Sequence, residues 1–139
     1  MMLRRRGLLM LFATPLLGET SAPVFAVLTS MASSLSEGNP AGFLKYLDHG
    51  MATYSRIEAN VNSLTSQCEI VCSLDVLTEQ LDGDKDLVDL DWFMQLRSKA
   101  EDGPLERRRE LVKAELRKQG KHWKVVSLEP NEVLAPLKI

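Results

Sequence analysis

Apolar residues recur at intervals of three and four along the first half of the chain, which predicts helices. The first stripe consists of Val24, Leu28, Met31 and Leu35. Gly38 follows this stripe and is suited to ending a helix, because glycine readily adopts the left-handed backbone conformation found there. A first helix is therefore expected to end shortly before Gly38.

Two further helices are predicted before residue 68. Asn39-Pro40 has the residue types of an N-cap and a first helical position, and the second helix is expected to stop near Gly50. The segment Ser55–Glu58 has the spacing of a capping box, which indicates the start of the third helix.

From Cys68 onward the apolar period changes to two, which is typical of strands. Even-numbered residues are apolar from Cys68 to Val76 and again from Val88 to Leu96. Directly opposed residues of a hairpin share a face. An odd loop, Asp82–Asp84, would pair Leu74 with Trp92 and set apolar against apolar. A two-residue turn would oppose apolar and polar residues along the whole ladder.

The segment Leu105–Trp123, LERRRELVKAELRKQGKHW, is rich in Arg and Lys. Its composition favours a helix, but its apolar residues also alternate as in a strand. The following segment is strand-like, and Gln119-Gly120 is a suitable two-residue turn that would pair Leu116 with Trp123. We therefore predict a strand whose charged residues form a solvated face. The alternative is a basic interaction helix.

The N-terminus has the arrangement of an export signal. MMLRRR is followed by an apolar run from Gly7 to Gly18, and small residues then offer cleavage after Ala22 or as late as Ala26. The run is too short to span a bilayer comfortably. We expect residues 1–22 to be a signal peptide and residues 23–139 a single exported domain, periplasmic or extracellular, without stable membrane insertion after cleavage. The alternative is an uncleaved tether.

Charge, cysteine spacing and the absence of known cofactor motifs argue against several classes of function. The formal net charge is -2, and loss of the arginine-rich leader makes the chain more acidic, which argues against nucleic-acid binding. On one strand, Cys68 and Cys72 would lie too far apart for a disulfide. No zinc spacing, glycine-rich phosphate loop or nucleophile elbow is present, so we predict no metal site and no cofactor.

The helix run VLTSMASSLSEGNPAGFLKYLD and the ending GKHWKVVSLEP resemble the nuclear-transport-factor-2-like superfamily. This superfamily includes SnoaL-like cyclases and ketosteroid isomerase. The resemblance covers about residues 24–130 and implies an α+β cone fold. In this fold, three N-terminal helices pack on a curved antiparallel sheet, here of four to six strands. It also implies a pocket between helices and sheet, and dimers formed through the sheet.

The predicted inner face of the sheet is apolar and contains no acid or base. We expect it to line the cone pocket with Ile70, Leu74, Leu90, Trp92, Met94, Val112, Leu116, Trp123 and Val125. Asp89 and Asp91 have the opposite parity and are expected outside. Candidate acid–base residues remain on the helices, namely His49, Tyr46 and Tyr54. For His49, a role at a helix C-terminus is the alternative.

The outer face is also unusually apolar, which indicates a homodimer interface. It is predicted from Val71, Leu77, Leu87, Phe93, Leu111, Val126 and Leu128. Three hypotheses follow. The first is an exported, non-catalytic dimer that binds a small apolar ligand or a protein partner. The second is a SnoaL-like or isomerase-like enzyme using His49 with Tyr46 or Tyr54. The third is a structural interaction module with a filled cone.

Overall fold

A computed structural model describes residues 21–138, so the predicted leader lies outside the described residues up to its cleavage region. Three helices precede four strands and one short 3-10 turn. The helices are α1 (Ala22–Ser36), α2 (Pro40–Leu44) and α3 (Tyr54–Gln67); the strands are β1 (Cys68–Asp82), β2 (Lys85–Ser98), β3 (Leu105–Gln119) and β4 (His122–Glu129); the turn is Glu132–Leu134. None of the helices within residues 21–138 combines the length and apolarity needed to cross a bilayer.

The helices follow their predicted stripes, with two differences at the ends. All four residues of the α1 stripe are buried, and Asn39 caps α2 by accepting a hydrogen bond from the backbone N–H of Gly42 at 3.0 Å. Helix α2 ends at Leu44, well before Gly50. The predicted capping box is wrong, because α3 begins at Tyr54 and its N-cap, Thr53, makes no side-chain cap.

The four strands form one antiparallel sheet in the order β1-β2-β3-β4. This confirms the α+β prediction of three helices on an antiparallel sheet, with four strands. The arginine-rich segment is strand β3, so the basic-helix alternative is wrong. Sheet pairing decides this conformation, since β3 pairs with β2 from Leu105 to Arg117 and with β4 from Lys113 onward, which outweighs its local helix preference.

The first hairpin has the predicted pairing but not the predicted loop. Leu74 lies opposite Trp92 as expected. The loop, however, is a two-residue turn, Gly83-Asp84, and Gly83 has the left-handed φ of 60° that such turns require. A β-bulge compensates for the shorter loop, because Leu77 is an extra, unpaired residue between paired Val76 and Thr78. Beyond this bulge, from Val76 back to Ile70, even-numbered apolar residues again lie opposite apolar residues.

The second hairpin differs from the prediction by one residue. Its turn is Gly120-Lys121, so Trp123 pairs with Lys118 and Leu116 pairs with Val125. A second bulge at Val126 shifts the residues after it by one position, so that even-numbered residues of β4 face inward from there on. Leu128 is therefore 1% exposed and belongs to the core, which corrects its predicted place on the outer face.

The chain after β4 closes one end of the sheet. Val133 and Leu134 are buried there. The backbone of this tail is held by two side chains of β3: the Arg108 guanidinium donates to the carbonyl oxygens of Val133 and Ala135, and a Glu110 carboxylate oxygen accepts from the N–H of Val133 at 3.1 Å. The polar inner residues of β3 thus hold the tail in place.

Candidate functional site

The residues predicted to line a cone pocket face the helices, but most are packed into the core. Ile70, Leu90, Trp92, Met94, Val112, Leu116 and Val125 are buried, whereas Leu74 and Trp123 are partly buried against the same core. Trp92 is 1% exposed, and its ring centroid lies 6.2 Å from that of Phe43 on α2. Large side chains from sheet and helices therefore fill the space between these layers.

Four surface grooves along residues 21–138 lie outside the space between sheet and helices. Their volumes range from about 440 to about 760 Å³, and they lie on helix edges, on the tail and on the outer side of the sheet. None of the four is lined by the fully buried residues Leu90, Trp92 or Leu116. Of the predicted pocket-lining residues, only the partly buried Leu74 and Trp123 line any of these grooves, and the buried ones contribute to packing.

The structure places two carboxyl groups on the inner side of the first hairpin, where the sequence analysis expected no acid or base. Strand β2 begins at Lys85, so Asp86 shares the parity of Val88 and is 0% exposed. The bulge at Leu77 turns Glu79 to the same side, opposite Val88. The backbone N–H of Ser21, just before α1, donates to both Glu79 carboxylate oxygens at 3.2 and 3.3 Å.

Burial and the neighbouring Glu79 carboxyl raise the pKa of Asp86 to about 9. No hydrogen-bond donor within residues 21–138 reaches either Asp86 oxygen. The Asp86 carboxyl is therefore protonated and uncharged at neutral pH. Asp86 has the even number of the inner face, but the predicted apolar alternation begins only at Val88. No sequence signal marked Glu79, because its orientation depends on the bulge.

Solved structures resemble this arrangement of helices and sheet. A conserved Planctomyces limnophilus protein matches with a TM-score of 0.70 at 6% identity, covering 76% of this chain and 90% of that chain. A nuclear-transport-factor-2-like superfamily protein of Salmonella enterica matches with a TM-score of 0.64 at 13% identity, covering 83% and 89%. This chain has the nuclear-transport-factor-2-like fold. A Streptomyces avermitilis protein of that family, described as a candidate dehydratase, matches with a TM-score of 0.62 at 16% identity, covering 76% and 90%.

No protein-family model matches the sequence, and no curated protein matches it. At these identities the solved structures establish the nuclear-transport-factor-2-like fold alone. The chemistry of this chain has to be argued from its own side chains.

The three candidate catalytic residues of this nuclear-transport-factor-2-like domain do not converge on one cavity. His49 is exposed, and its ring centroid lies 4.5 Å from that of Tyr54 at the start of α3. Tyr46 is half-buried and lines a different groove, beside Trp123. None of the four grooves is lined by His49 or Tyr54. The pair forms a surface aromatic contact.

Both cysteines are free thiols with raised pKa values. Burial is the main cause at Cys68, and it raises the pKa of Cys72 to about 12 against the smaller, opposite effect of the Trp92 indole N–H. A thiol with such a pKa carries almost no thiolate at neutral pH, and thiolate is the nucleophilic form. Cys72 is therefore unsuited to nucleophilic catalysis.

The outer face of the sheet carries both exposed apolar residues and charged residues. Val71, Leu77, Leu87 and Leu111 are exposed, whereas Phe93 and Val126 are partly buried. Asp89 and Asp91 lie on this face as predicted. Arg109 donates to both Asp91 oxygens at 3.0 and 2.7 Å, and this guanidinium lowers the pKa of the Asp91 carboxyl.

Proposed function

We propose that this chain is a non-catalytic homodimeric interaction domain with a filled cone, in which the outer sheet face joins two copies. The observation that supports this function best is the contrast between the two faces. The inner face carries the largest fully buried side chain, Trp92, while Leu111 on the outer face is 56% exposed. An apolar surface of this kind is typical of interaction sites.

The charges of the outer face favour a second copy as the partner. Strand β1 presents Glu69 and Asp75, whereas β3 presents Arg107 and Arg109. A two-fold axis parallel to the strands and passing between β1 and β3 would set β1 of each copy over β3 of its partner. Of these four residues, Arg109 is already paired with Asp91 within the chain. Within residues 21–138 the other three form no ion pair, so they can contribute to contacts between copies.

Native mass spectrometry of the gently purified protein tests the filled cone. The expected spectrum is a dimer without additional mass, because side chains already occupy the space between helices and sheet. A dimer that carries a bound small molecule at a fixed ratio would contradict this function. Such a spectrum would support the hypothesis that the dimer binds a small ligand.

Replacing Leu111 with lysine should convert the dimer to a monomer. The new charge would be buried in the interface, and we expect the dissociation constant to rise at least about a hundredfold. Light scattering during size-exclusion chromatography measures the mass directly. Phe25→Lys is the matched control, since Phe25 is also 56% exposed but lies on α1. A monomeric parent protein, or a dimer that survives Leu111→Lys, would contradict the proposed interface.

Export is part of the same proposal. Cleavage after Ala22 would retain Val24, which is 0% exposed in α1, whereas cleavage after Ala26 would remove it from the core. We therefore expect the full chain, expressed in a bacterium, to reach the periplasm or medium with a mass that lacks residues 1–22. Leu9→Arg, within the apolar run, should retain the protein inside. Recovery of the uncut chain from the exported fraction would contradict the prediction.

A further inference from the structure

A groove between the helices and the second hairpin concentrates positive charge beside two aromatic rings. Its wall is formed by the first turns of α1, the end of α2 and the beginning of β4. We call it the basic groove and define it by Lys45, Tyr46, Lys121, His122, Trp123 and Lys124. Its volume of about 480 Å³ falls within the range of roughly 300–1,000 Å³ that is typical of small-molecule sites.

The charged side chains that line the basic groove are all basic. Three lysines and one histidine line it, and no lining residue is acidic, although the whole chain has a formal charge of -2. Within residues 21–138, none of the three lysines forms an ion pair. Lys124 is held in place, because its Nζ donates to the backbone oxygen of Lys45 at 2.5 Å. Its ammonium group still has two N–H donors for a ligand.

The aromatic side chains give the basic groove an apolar surface. Tyr46 and Trp123 are both partly buried and pack against the core, which limits their motion. Lys45 Nζ lies 5.2 Å from the centre of the Tyr46 ring, a cation–π distance. A planar ligand can therefore contact ring faces while its charged group meets ammonium groups.

Backbone pairing fixes the two walls relative to each other. The N–H of Val125 donates to the carbonyl oxygen of Tyr46 at 2.8 Å, and the N–H of Asp48 donates to the carbonyl oxygen of Val125 at 2.8 Å. Leu47 thus forms a parallel bridge with Val125. Because the segment after α2 is bonded to β4, the basic groove is already formed without a ligand, which lowers the entropic cost of binding.

We propose that the basic groove binds a small aromatic anion, a one- or two-ring compound that carries a carboxylate or phosphate group. The anion contacts Lys45, Lys121 and Lys124, and the ring lies against Tyr46 or Trp123. Long polyanions fit less well, because the rest of the chain is acidic. None of the apolar residues of the outer sheet face lines the basic groove, so the site does not depend on the homodimer.

Titration calorimetry with 1-naphthoate tests the site on the protein as purified. The neutral analogue 1-naphthalenemethanol removes the charge, and cyclohexanecarboxylate removes the aromatic ring. We expect 1-naphthoate to bind at least about tenfold more tightly than either analogue, since each lacks one of the two contacts. No binding of 1-naphthoate up to about 5 mM, or equal binding of the neutral analogue, would overturn the proposal.

Charge-reversal variants locate the binding. Lys45 and Lys121 are both exposed, so Lys45→Glu with Lys121→Glu should leave the fold intact and weaken 1-naphthoate binding at least about tenfold. Arg97→Glu with Lys138→Glu changes the net charge equally at exposed positions outside the groove, and we expect an effect within about twofold. Equal losses in both double variants would overturn the site. Trp123→Leu provides an independent variant, with an expected loss of binding.

Discussion

Replacing Trp92 with alanine should lower the free energy of unfolding by about 3–5 kcal/mol, the usual cost of truncating a buried aromatic residue. Trp92 lies in β2, an interior strand of the sheet, between Leu74 on β1 and Glu110 on β3. It also contacts Phe43 of α2. The substitution would leave a cavity where sheet and helices meet, and neither layer can close it without losing other contacts.

Urea unfolding followed by far-UV circular dichroism measures this effect without relying on the lost indole. Phe25→Ala is a suitable control, because Phe25 is exposed and its removal should cost less than about 1 kcal/mol. A loss for Trp92→Ala no larger than that of the control would mean that the inner face is loosely packed. It would then contradict the filled cone as well.

Replacing Asp86 with asparagine should remove a large part of the pH dependence of stability. The folded-state pKa of Asp86 is raised to about 9, whereas an unfolded aspartate has a pKa of about 3.9. The protonated Asp86 carboxyl therefore makes its full contribution to the free energy of unfolding below about pH 4. This contribution is lost as the pH rises toward about 9, by up to about 1.4 kcal/mol per pH unit. An asparagine has no proton to lose and lacks this slope.

The measurement is the difference in unfolding free energy between Asp86→Asn and the parent protein at pH 5 and pH 7. We expect this difference to move in favour of the variant by about 2–3 kcal/mol between the two pH values. Asp84→Asn is the control, because Asp84 is exposed in the turn of the same hairpin. Parallel stability curves for Asp86→Asn and the parent would show that Asp86 titrates normally in the folded protein.

The helices and the inner stripe of the sheet were predictable because burial repeats with a regular period. Leu90, Trp92 and Met94 lie on the inner face in every register that keeps the apolar face continuous. The arginine-rich strand was predictable from its partner, since a following strand and a glycine turn outweigh helix propensity. The order of these elements was also sufficient to indicate the nuclear-transport-factor-2-like fold.

The bulges were not predictable from the sequence, because neither Leu77 nor Val126 is a residue type that marks a bulge and each bulge is defined by pairing with the neighbouring strand. The prediction assumed strict alternation, so it required an odd loop in the first hairpin and placed Leu128 outside. The same assumption hid the inward orientation of Glu79. The basic groove was missed for a related reason: Tyr46 and Trp123 are distant in sequence and meet only when the segment after α2 bridges to β4.

The two bulges have a consequence for how this domain can vary in length. In a regular hairpin, one residue more or less in the turn would exchange the two faces of a whole strand. Here Leu77 and Val126 each absorb one residue within the ladder, so a two-residue turn in each hairpin is compatible with a continuous apolar inner face. Insertions at the hairpin tips can therefore be compensated a few residues away, while the core keeps its side chains.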